Sequence, residues 1–258
     1  MKKLKGLDFS KDWHFNLLGI YNTNKYGSFS NLVKFIRDNH DVIEGDIVEA
    51  GVFQGHSLIS IGLLLKQLGS EKLIYGFDTF SGFPPIYDKK DNIEEFTILL
   101  KENLISKQHY EDVMLNKEIL TVMKNIKESD NVKTISSSGK FDDTSMESIQ
   151  EKLDLLELDN VRLIRGPFSE TMNEELSLDR IMAAVIDCDL YTSYLECLRY
   201  IWPKLSDAGL IHLDEYYSLK FPGARRAVIE FFADIDNYSL SSHQKDSDFE
   251  RWFVTKSG

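Results

Sequence analysis

Cysteine and long hydrophobic runs are both scarce in this sequence, and each scarcity excludes a class of protein. Only Cys188 and Cys197 occur in 258 residues, in no metal-ligand spacing, so we expect neither a disulfide scaffold nor a structural zinc site. The most apolar stretch, residues 58–68, is shorter than the roughly 20 residues needed to cross a bilayer. The basic start is followed by no apolar segment of signal-peptide type. We therefore expect a cytoplasmic protein with no membrane segment.

Positive charge is also in short supply. The chain has 30 Lys and Arg against 42 Asp and Glu, which gives a net charge of -12. Such a balance disfavours electrostatic attraction to nucleic acid or to anionic lipid, so we expect a small, specifically recognised substrate. The length favours a single large domain over residues 1–258.

Short apolar runs alternate with helical patterns along the chain. The alternation predicts an α/β fold with a doubly wound, Rossmann-like parallel sheet, in which ligands bind at the carboxyl ends of the strands. Residues 238–255 predict a C-terminal hairpin that adds antiparallel edge strands. The apolar runs lie at 47–48, 73–77, 161–164, 182–186 and 210–213, and helices are predicted at about 56–68, 143–157 and 192–206.

Residues 79–141 form a long insertion after the second strand. The connection exceeds what a plain crossover requires, which indicates a functional segment. Two helices are predicted in it, at 94–104 and 111–126. We interpret the insertion as a lid, a substrate-binding segment or a subunit contact, with a solvated pair of accessory helices as the alternative.

Two features at strand ends are candidate cofactor contacts: the turn after the first strand and the acidic residue after the second strand. Gly51 and Gly55 would permit close backbone approach to a ligand, and Glu49 could meet a cation such as the ammonium group of S-adenosylmethionine (SAM). The spacing is not GxGxxG, so a pyrophosphate site is disfavoured. Asp78 is the candidate ribose ligand, and a tight turn with a solvated acid is the alternative at both places. Further candidate cofactor contacts are Thr79, Gly166, Phe168 and Asp187.

Four carboxylates follow the fourth and fifth predicted strands. Neighbouring strand ends would bring them together, and like charges in one crevice are costly unless a cation offsets them. Oxygen ligands suit Mg²⁺ or Mn²⁺. Each acid alone could instead be a helix cap or a loop residue. The four are Asp187, Asp189, Asp214 and Glu215.

A metal beside SAM could activate a hydroxyl for methyl transfer, and the proton then needs a base. Asp189 is the first candidate, because it stands one residue beyond Asp187. His56, at a helix start, and His212, inside a buried strand, are rivals, although His212 has the pattern of a core histidine. Arg225 and Arg226 could hold a phosphate, but a solvated helix face is the preferred interpretation.

The sequence resembles the macrocin O-methyltransferase family of SAM- and Mg²⁺-dependent sugar methyltransferases. The resemblance implies a class I methyltransferase fold, with Asp187, Asp214 and Glu215 as metal ligands. It also implies Asp189 as the base, and Glu49 and Asp78 as SAM contacts. The segments that carry it are 45–55, 77–84, 161–171, 187–191, 202–205, 209–216 and 222–228.

Two departures from the family pattern bear on substrate choice. Glu215 stands where the family usually has an aspartate, and the stretch 85–140 is longer than in macrolide-modifying members. By the resemblance we expect a sugar hydroxyl as acceptor, first on a nucleotide-activated sugar of surface polysaccharide, alternatively on an antibiotic sugar. We also expect a homo-oligomer. Rival functions are a NAD-dependent oxidoreductase and a catalytically silent Rossmann-like partner protein.

Overall fold

The computed structural model describes residues 6–25, 27–84, 87–124, 141–173, 176, 178–243 and 249–258. The strands in these residues are β1 Asp46–Ala50, β2 Ile74–Asp78, β3 Val161–Arg165, β4 Ile181–Ile186, β5 Leu205–Leu213, β6 Tyr238–His243 and β7 Arg251–Lys256. These seven strands form one sheet in the order β3-β2-β1-β4-β5-β7-β6. The helices are α1 Asp12–Leu18, α2 Ser30–Asn39, α3 His56–Leu68, α4 Glu95–Lys101, α5 Lys107–Lys124, α6 Met146–Leu156, α7 Phe168–Thr171, α8 Tyr191–Lys204 and α9 Pro222–Phe231.

Strands β1 to β5 are parallel, and helices cover both faces of the sheet. All six residues of β4 are buried, as expected of a central strand whose two faces are both covered. One core cluster packs α3 and α6 against one face, and a second packs α8 and α9 against the other. The predicted doubly wound fold is therefore confirmed. Among the described residues, no helix is long and apolar enough to cross a membrane.

The C-terminal hairpin is also confirmed. Strand β7 pairs antiparallel with both β5 and β6, and Trp252 lies opposite Leu213. Strand β5 begins at Leu205, five residues before its predicted start. The added residues form a polar segment that has the composition of a turn. They join the strand through an irregular register beside β4, and Ala208 adopts a left-handed conformation with φ of 60°.

The insertion contains both predicted helices, α4 and α5. Helix α5 begins four residues before its predicted start, because the Ser106 hydroxyl accepts a hydrogen bond from the His109 backbone N–H. Residues 125–126 of that prediction lie outside the described residues. The two helices enclose a small apolar cluster that includes Phe96 and Leu99.

The prediction that Arg225 and Arg226 form a solvated helix face is wrong. Arg225 is buried and donates hydrogen bonds to the carbonyl oxygens of Tyr216 and Leu104, each at 2.8 Å. Arg226 forms ion pairs at 2.7 Å with Glu95 and with Glu102. A periodic helix pattern could not reveal these partners, because all of them except Tyr216 belong to the insertion. The two arginines fasten α9 to it.

The turn after β1 passes close to β4. Gly51 has φ of 90°, and a Cβ atom placed there would lie 1.7 Å from the carbonyl oxygen of Asp187. Gly55 has φ of 79° and packs against the side chains of Ile149 and Ile59. Only glycine satisfies both constraints at position 51, so this residue sets how closely the ends of β1 and β4 approach.

We expect Gly51→Ala to lower the free energy of unfolding by about 3 kcal/mol or more, because the new methyl group collides with backbone in a strained conformation. Gly69→Ala is the matched control. Gly69 has a similar positive φ of 65° but nothing within 4 Å of the added Cβ, so a loss of only about 1 kcal/mol is expected. Urea unfolding of both variants measures the difference. Equal losses would show that the contact with Asp187 is unimportant.

Candidate active site

A cavity of about 530 Å³ opens at the carboxyl ends of the parallel strands. Its walls come from the turn after β1, the loops after β2, β3 and β4, and the insertion. Six of the residues predicted from sequence line it: Gly51, Asp78, Thr79, Phe168, Asp187 and Asp189. The topology therefore collects residues that are distant in sequence into one pocket, where a doubly wound sheet binds its ligands.

The other predicted cofactor and metal contacts lie outside the cavity lining. Glu49 is fully buried, Gly55 packs against helix α6, and Gly166 bends the chain after β3 with φ of 147°. Asp214 and Glu215 belong instead to an acidic cluster with Asp187. His56, the rival base, lines the cavity at the start of α3, and burial lowers its pKa.

Glu49 is a buried carboxylate with one unused oxygen. Its side chain is 0% exposed, and its Oε1 accepts a hydrogen bond from the Ser57 hydroxyl at 2.8 Å. Oε2 has no hydrogen-bond partner among the described residues. Burial raises the pKa of Glu49 well above its usual value, and the charge of Asp187 adds to the rise. Such an acceptor is suited to a cationic donor supplied by a ligand.

Asp78 organises the turn that precedes helix α3. Its Oδ2 accepts the backbone N–H groups of Val52 and Phe53 at 2.8 and 2.9 Å, and its Oδ1 accepts that of Phe80 at 2.7 Å. A carboxylate has about four acceptor positions, so about one remains for a ligand hydroxyl. The predicted ribose acid is thus a structural member of the turn as well as a part of the cavity wall.

Three acids form a cluster at the ends of β4 and β5. Asp187, Asp214 and Glu215 each offer one carboxylate oxygen, and these oxygens all lie within 4.8 Å of one another. Burial and the charge of Asp214 raise the pKa of Asp187 to about 7. Burial and the charge of Asp187 raise the pKa of Glu215 well above its usual value. Both shifts reflect burial first and repulsion between the carboxylates second, and hard oxygen ligands in this arrangement fit a divalent cation such as Mg²⁺.

Two basic side chains lie beside Asp214, and the sequence did not indicate that they would meet there. Its Oδ1 lies 3.4 Å from His212 Nε2 and 3.3 Å from an Arg251 nitrogen. Burial opposes ionisation of Asp214, but His212 and then Arg251 outweigh it and lower its pKa. His212 is 2% exposed, which confirms it as a core histidine. Arg251 was not anticipated, because the hairpin brings it to β5 from the far end of the chain.

Glu215 contacts both helix α8 and the backbone of Asp189. The Tyr194 hydroxyl lies 2.6 Å from Glu215 Oε2, and it accepts the Glu215 backbone N–H at 3.1 Å. The Asp189 backbone N–H also approaches Glu215 Oε2, at 3.4 Å. Asp189 is buried in a left-handed conformation with φ of 61°, and burial followed by the charges of Asp187 and Asp214 raises its pKa. Tyr194 was missed because a buried tyrosine in a helix has no distinctive spacing.

The sheet order, the helices on both faces and the cavity at the strand ends define a class I, Rossmann-like methyltransferase fold. The model of the family described as Macrocin-O-methyltransferase (TylF) matches residues 23–121 and 120–237. The chain belongs to this family. The matched region includes all the predicted site residues but ends before Arg251.

Curated relatives are O-methyltransferases by name. The chain is 27% identical over 192 residues to mycinamicin III 3''-O-methyltransferase of Micromonospora griseorubida, covering 74% of this chain and 61% of that protein. It is 24% identical over 177 residues to 8-demethyl-8-(2,3-dimethoxy-alpha-L-rhamnosyl)-tetracenomycin-C 4'-O-methyltransferase of Streptomyces olivaceus, covering 68% and 54%. The chain thus spans less than two thirds of the length of either relative.

Solved structures support the fold. A structure of CalS11, described as a calicheamicin methyltransferase, aligns with a TM-score of 0.61 at 20% identity and covers 96% of this chain and 81% of that one. A second structure of CalS11, described as a TDP-rhamnose 3'-O-methyltransferase, aligns with a TM-score of 0.51 at 18% identity, with the same coverage.

We expect Glu49→Gln to stabilise the cofactor-free protein at neutral and alkaline pH. The folded-state pKa of Glu49 lies above the unfolded value of 4.5, so its ionisation destabilises the fold as pH rises past 4.5. The contribution is at most about 1.4 kcal/mol per pH unit, and it vanishes in the variant. Urea unfolding at about pH 5 and about pH 8 should show the gain growing with pH. Asp154→Asn, at an exposed position on α6, is the control. A gain independent of pH would contradict the burial argument.

Proposed function

We propose that this protein is a divalent-metal-dependent O-methyltransferase that moves a methyl group from SAM to a hydroxyl of a sugar. One observation carries the proposal. Asp187 lines the cavity and forms a cluster of mutually repelling carboxylates with Asp214 and Glu215. Ser57 lines the same cavity and donates a hydrogen bond to Glu49, whose second carboxylate oxygen has no partner among the described residues. Membership of the Macrocin-O-methyltransferase family supplies the reaction class.

The cofactor would lie over the turn after β1. In this arrangement the Glu49 carboxylate meets the SAM ammonium group, Asp78 accepts a ribose hydroxyl, and Gly51 leaves room for the cofactor chain. Thr79, Gly166 and Phe168 would surround the ribose and the adenine. The cavity wall at Gly51, Asp78, Thr79 and Phe168 supports this placement.

The metal would be held by Asp187, Asp214 and Glu215. A bound Mg²⁺ or Mn²⁺ supplies Lewis-acid activation of the acceptor hydroxyl. Residues of the chain would control the ionisation of these ligands, fix their positions and accept the hydroxyl proton. His212 and Arg251 keep Asp214 ionised, and Tyr194 fixes one oxygen of Glu215. Asp189, which lines the cavity, takes the hydroxyl proton, with His56 as the rival base.

The relatives favour a sugar of an antibiotic or another natural product as acceptor. The tetracenomycin relative is named for a rhamnosyl compound. A nucleotide-activated sugar is the second candidate, supported by the description of CalS11 as acting on TDP-rhamnose. The surface-polysaccharide context has no counterpart among these relatives. A NAD-dependent oxidoreductase is disfavoured by the family match, and a catalytically silent protein by the intact acidic cluster.

A mass-spectrometric screen tests the proposal directly. The protein is incubated with SAM, Mg²⁺ and a panel of rhamnosides, TDP-rhamnose and UDP-glucose, and we expect one product heavier by a single methyl group. EDTA should abolish turnover, and added Mg²⁺ should restore it. Asp187→Asn and Asp214→Asn should lower the rate by on the order of 100-fold or more while the circular dichroism spectrum is retained. Turnover that persists in EDTA would refute metal dependence.

Asp189→Asn should depress kcat on the order of 100-fold while SAM affinity changes little, because an amide cannot take up the hydroxyl proton. Stopped assays give kcat, and calorimetric titration gives the dissociation constant of SAM. His56→Asn is the comparison variant for the rival base. If Asp189→Asn keeps its rate and His56→Asn loses it, the assignment of the base is reversed.

A further inference from the structure

A second buried acid, Asp91, reaches the cavity from the insertion. It ends a short 3-10 turn, Lys89–Asp91, and its side chain is 1% exposed. Its Oδ1 accepts the backbone N–H of Tyr191, the first residue of α8, at 2.7 Å. Its Oδ2 has no hydrogen-bond partner among the described residues. Asp91 is one of the residues that line the cavity.

Several contacts hold this acid in place. The Lys90 ammonium group lies 2.8 Å from the Tyr191 hydroxyl and 2.9 Å from both carboxylate oxygens of Glu230, on α9. Gly223 leaves the space that Asp91 occupies, because a Cβ atom there would lie 2.0 Å from Asp91 Oδ1. Three separate segments of the chain are therefore arranged around one carboxylate. Buried carboxylate oxygens in proteins usually accept a hydrogen bond. The unused Oδ2 of Asp91 therefore indicates a hydrogen-bond donor on a ligand in the cavity.

The position of Asp91 places it beside the proposed reaction centre. The residue that it contacts, Tyr191, is two positions from Asp189, and both acids line the cavity. Burial raises the pKa of Asp91 itself to about 6, so the carboxylate is largely ionised at neutral pH and can accept hydrogen bonds.

The wall around Asp91 is apolar and aromatic. Phe83, Tyr87, Phe141 and Leu190 pack together there, and all four line the cavity. A small-molecule site commonly combines such a wall with a few placed polar groups that fix orientation. Ring faces of this kind suit the C–H surface of a sugar, while a single carboxylate suits one of its hydroxyls.

We propose that Asp91 is a specificity residue that accepts a hydrogen bond, through Oδ2, from a second hydroxyl of the acceptor, next to the hydroxyl that is methylated. This inference rests on the proposed function and sharpens it. The substrate class becomes a sugar with two neighbouring free hydroxyls, one directed to the acidic cluster and one to Asp91. A sugar that lacks the second hydroxyl leaves a buried acceptor unpaired, and is rejected for that reason.

Asp91→Asn tests the role in the full chain with SAM and Mg²⁺ present. The amide oxygen can still accept the Tyr191 N–H, while the amide nitrogen that replaces Oδ2 cannot accept a hydrogen bond. For the sugar methylated in the screen, we expect KM to rise on the order of 10- to 100-fold, with kcat and SAM affinity changed only about 2-fold. The analogue of that sugar lacking the neighbouring hydroxyl should show the same KM with both proteins.

Tyr191→Phe is the matched control. It removes the hydroxyl contacts to Lys90 and Glu230 but keeps the backbone N–H that Asp91 binds. If Asp91 only anchors the insertion, the two variants should behave alike, or Asp91→Asn should lower kcat without raising KM. Either result, or a KM that stays unchanged, overturns the role of Asp91. If the wild type methylates no member of the panel, the proposed function fails, and the inference fails with it.

Discussion

Repulsion among three clustered carboxylates at one edge of the sheet is the constraint around which this structure is arranged. Asp187, Asp214 and Glu215 lie within a few ångströms of one another, where low dielectric strengthens their repulsion. Neighbouring side chains offset this repulsion only in part. Arg251 and His212 lie beside Asp214, and the Tyr194 hydroxyl contacts Glu215. The remaining excess of negative charge favours binding of a cation, which links the electrostatics of the fold to the chemistry we propose.

The approach of β1 to β4 places the two halves of the site side by side. Gly51 lies against the carbonyl of Asp187, so the cofactor turn and the acidic cluster share one short stretch of backbone. Asp78 ties the same turn to the end of β2 through two backbone N–H groups. A methyl donor on the turn and an activated oxygen at the cluster would then be held by adjacent, rigid elements, which favours in-line transfer.

The insertion forms one wall of the cavity. Arg225 and Arg226 fasten α9 to the insertion, and Lys90 connects the 3-10 turn to α8 and α9. These contacts bring Asp91 and an aromatic wall to the cavity beside the acids that follow β4. In the function we propose, the strand ends would supply the reaction chemistry and the insertion would supply a surface that meets the acceptor. Change in such a segment can alter the substrate without altering the reaction.

The sequence by itself determined the sheet, the strand ends and the acids placed there, because buried runs alternating with helices specify a doubly wound fold, and that fold gathers its strand ends. The turn glycines and the hairpin were predictable for the same local reasons. The partners of those acids were decided only by the tertiary structure. Arg251, Tyr194 and Asp91 reach the site from β7, α8 and the insertion, and no periodicity encodes a contact between such distant segments. The sequence pattern identifies the acids at the strand ends as candidate functional residues. Tertiary packing decides which charges, hydrogen-bond partners and cavity walls surround them.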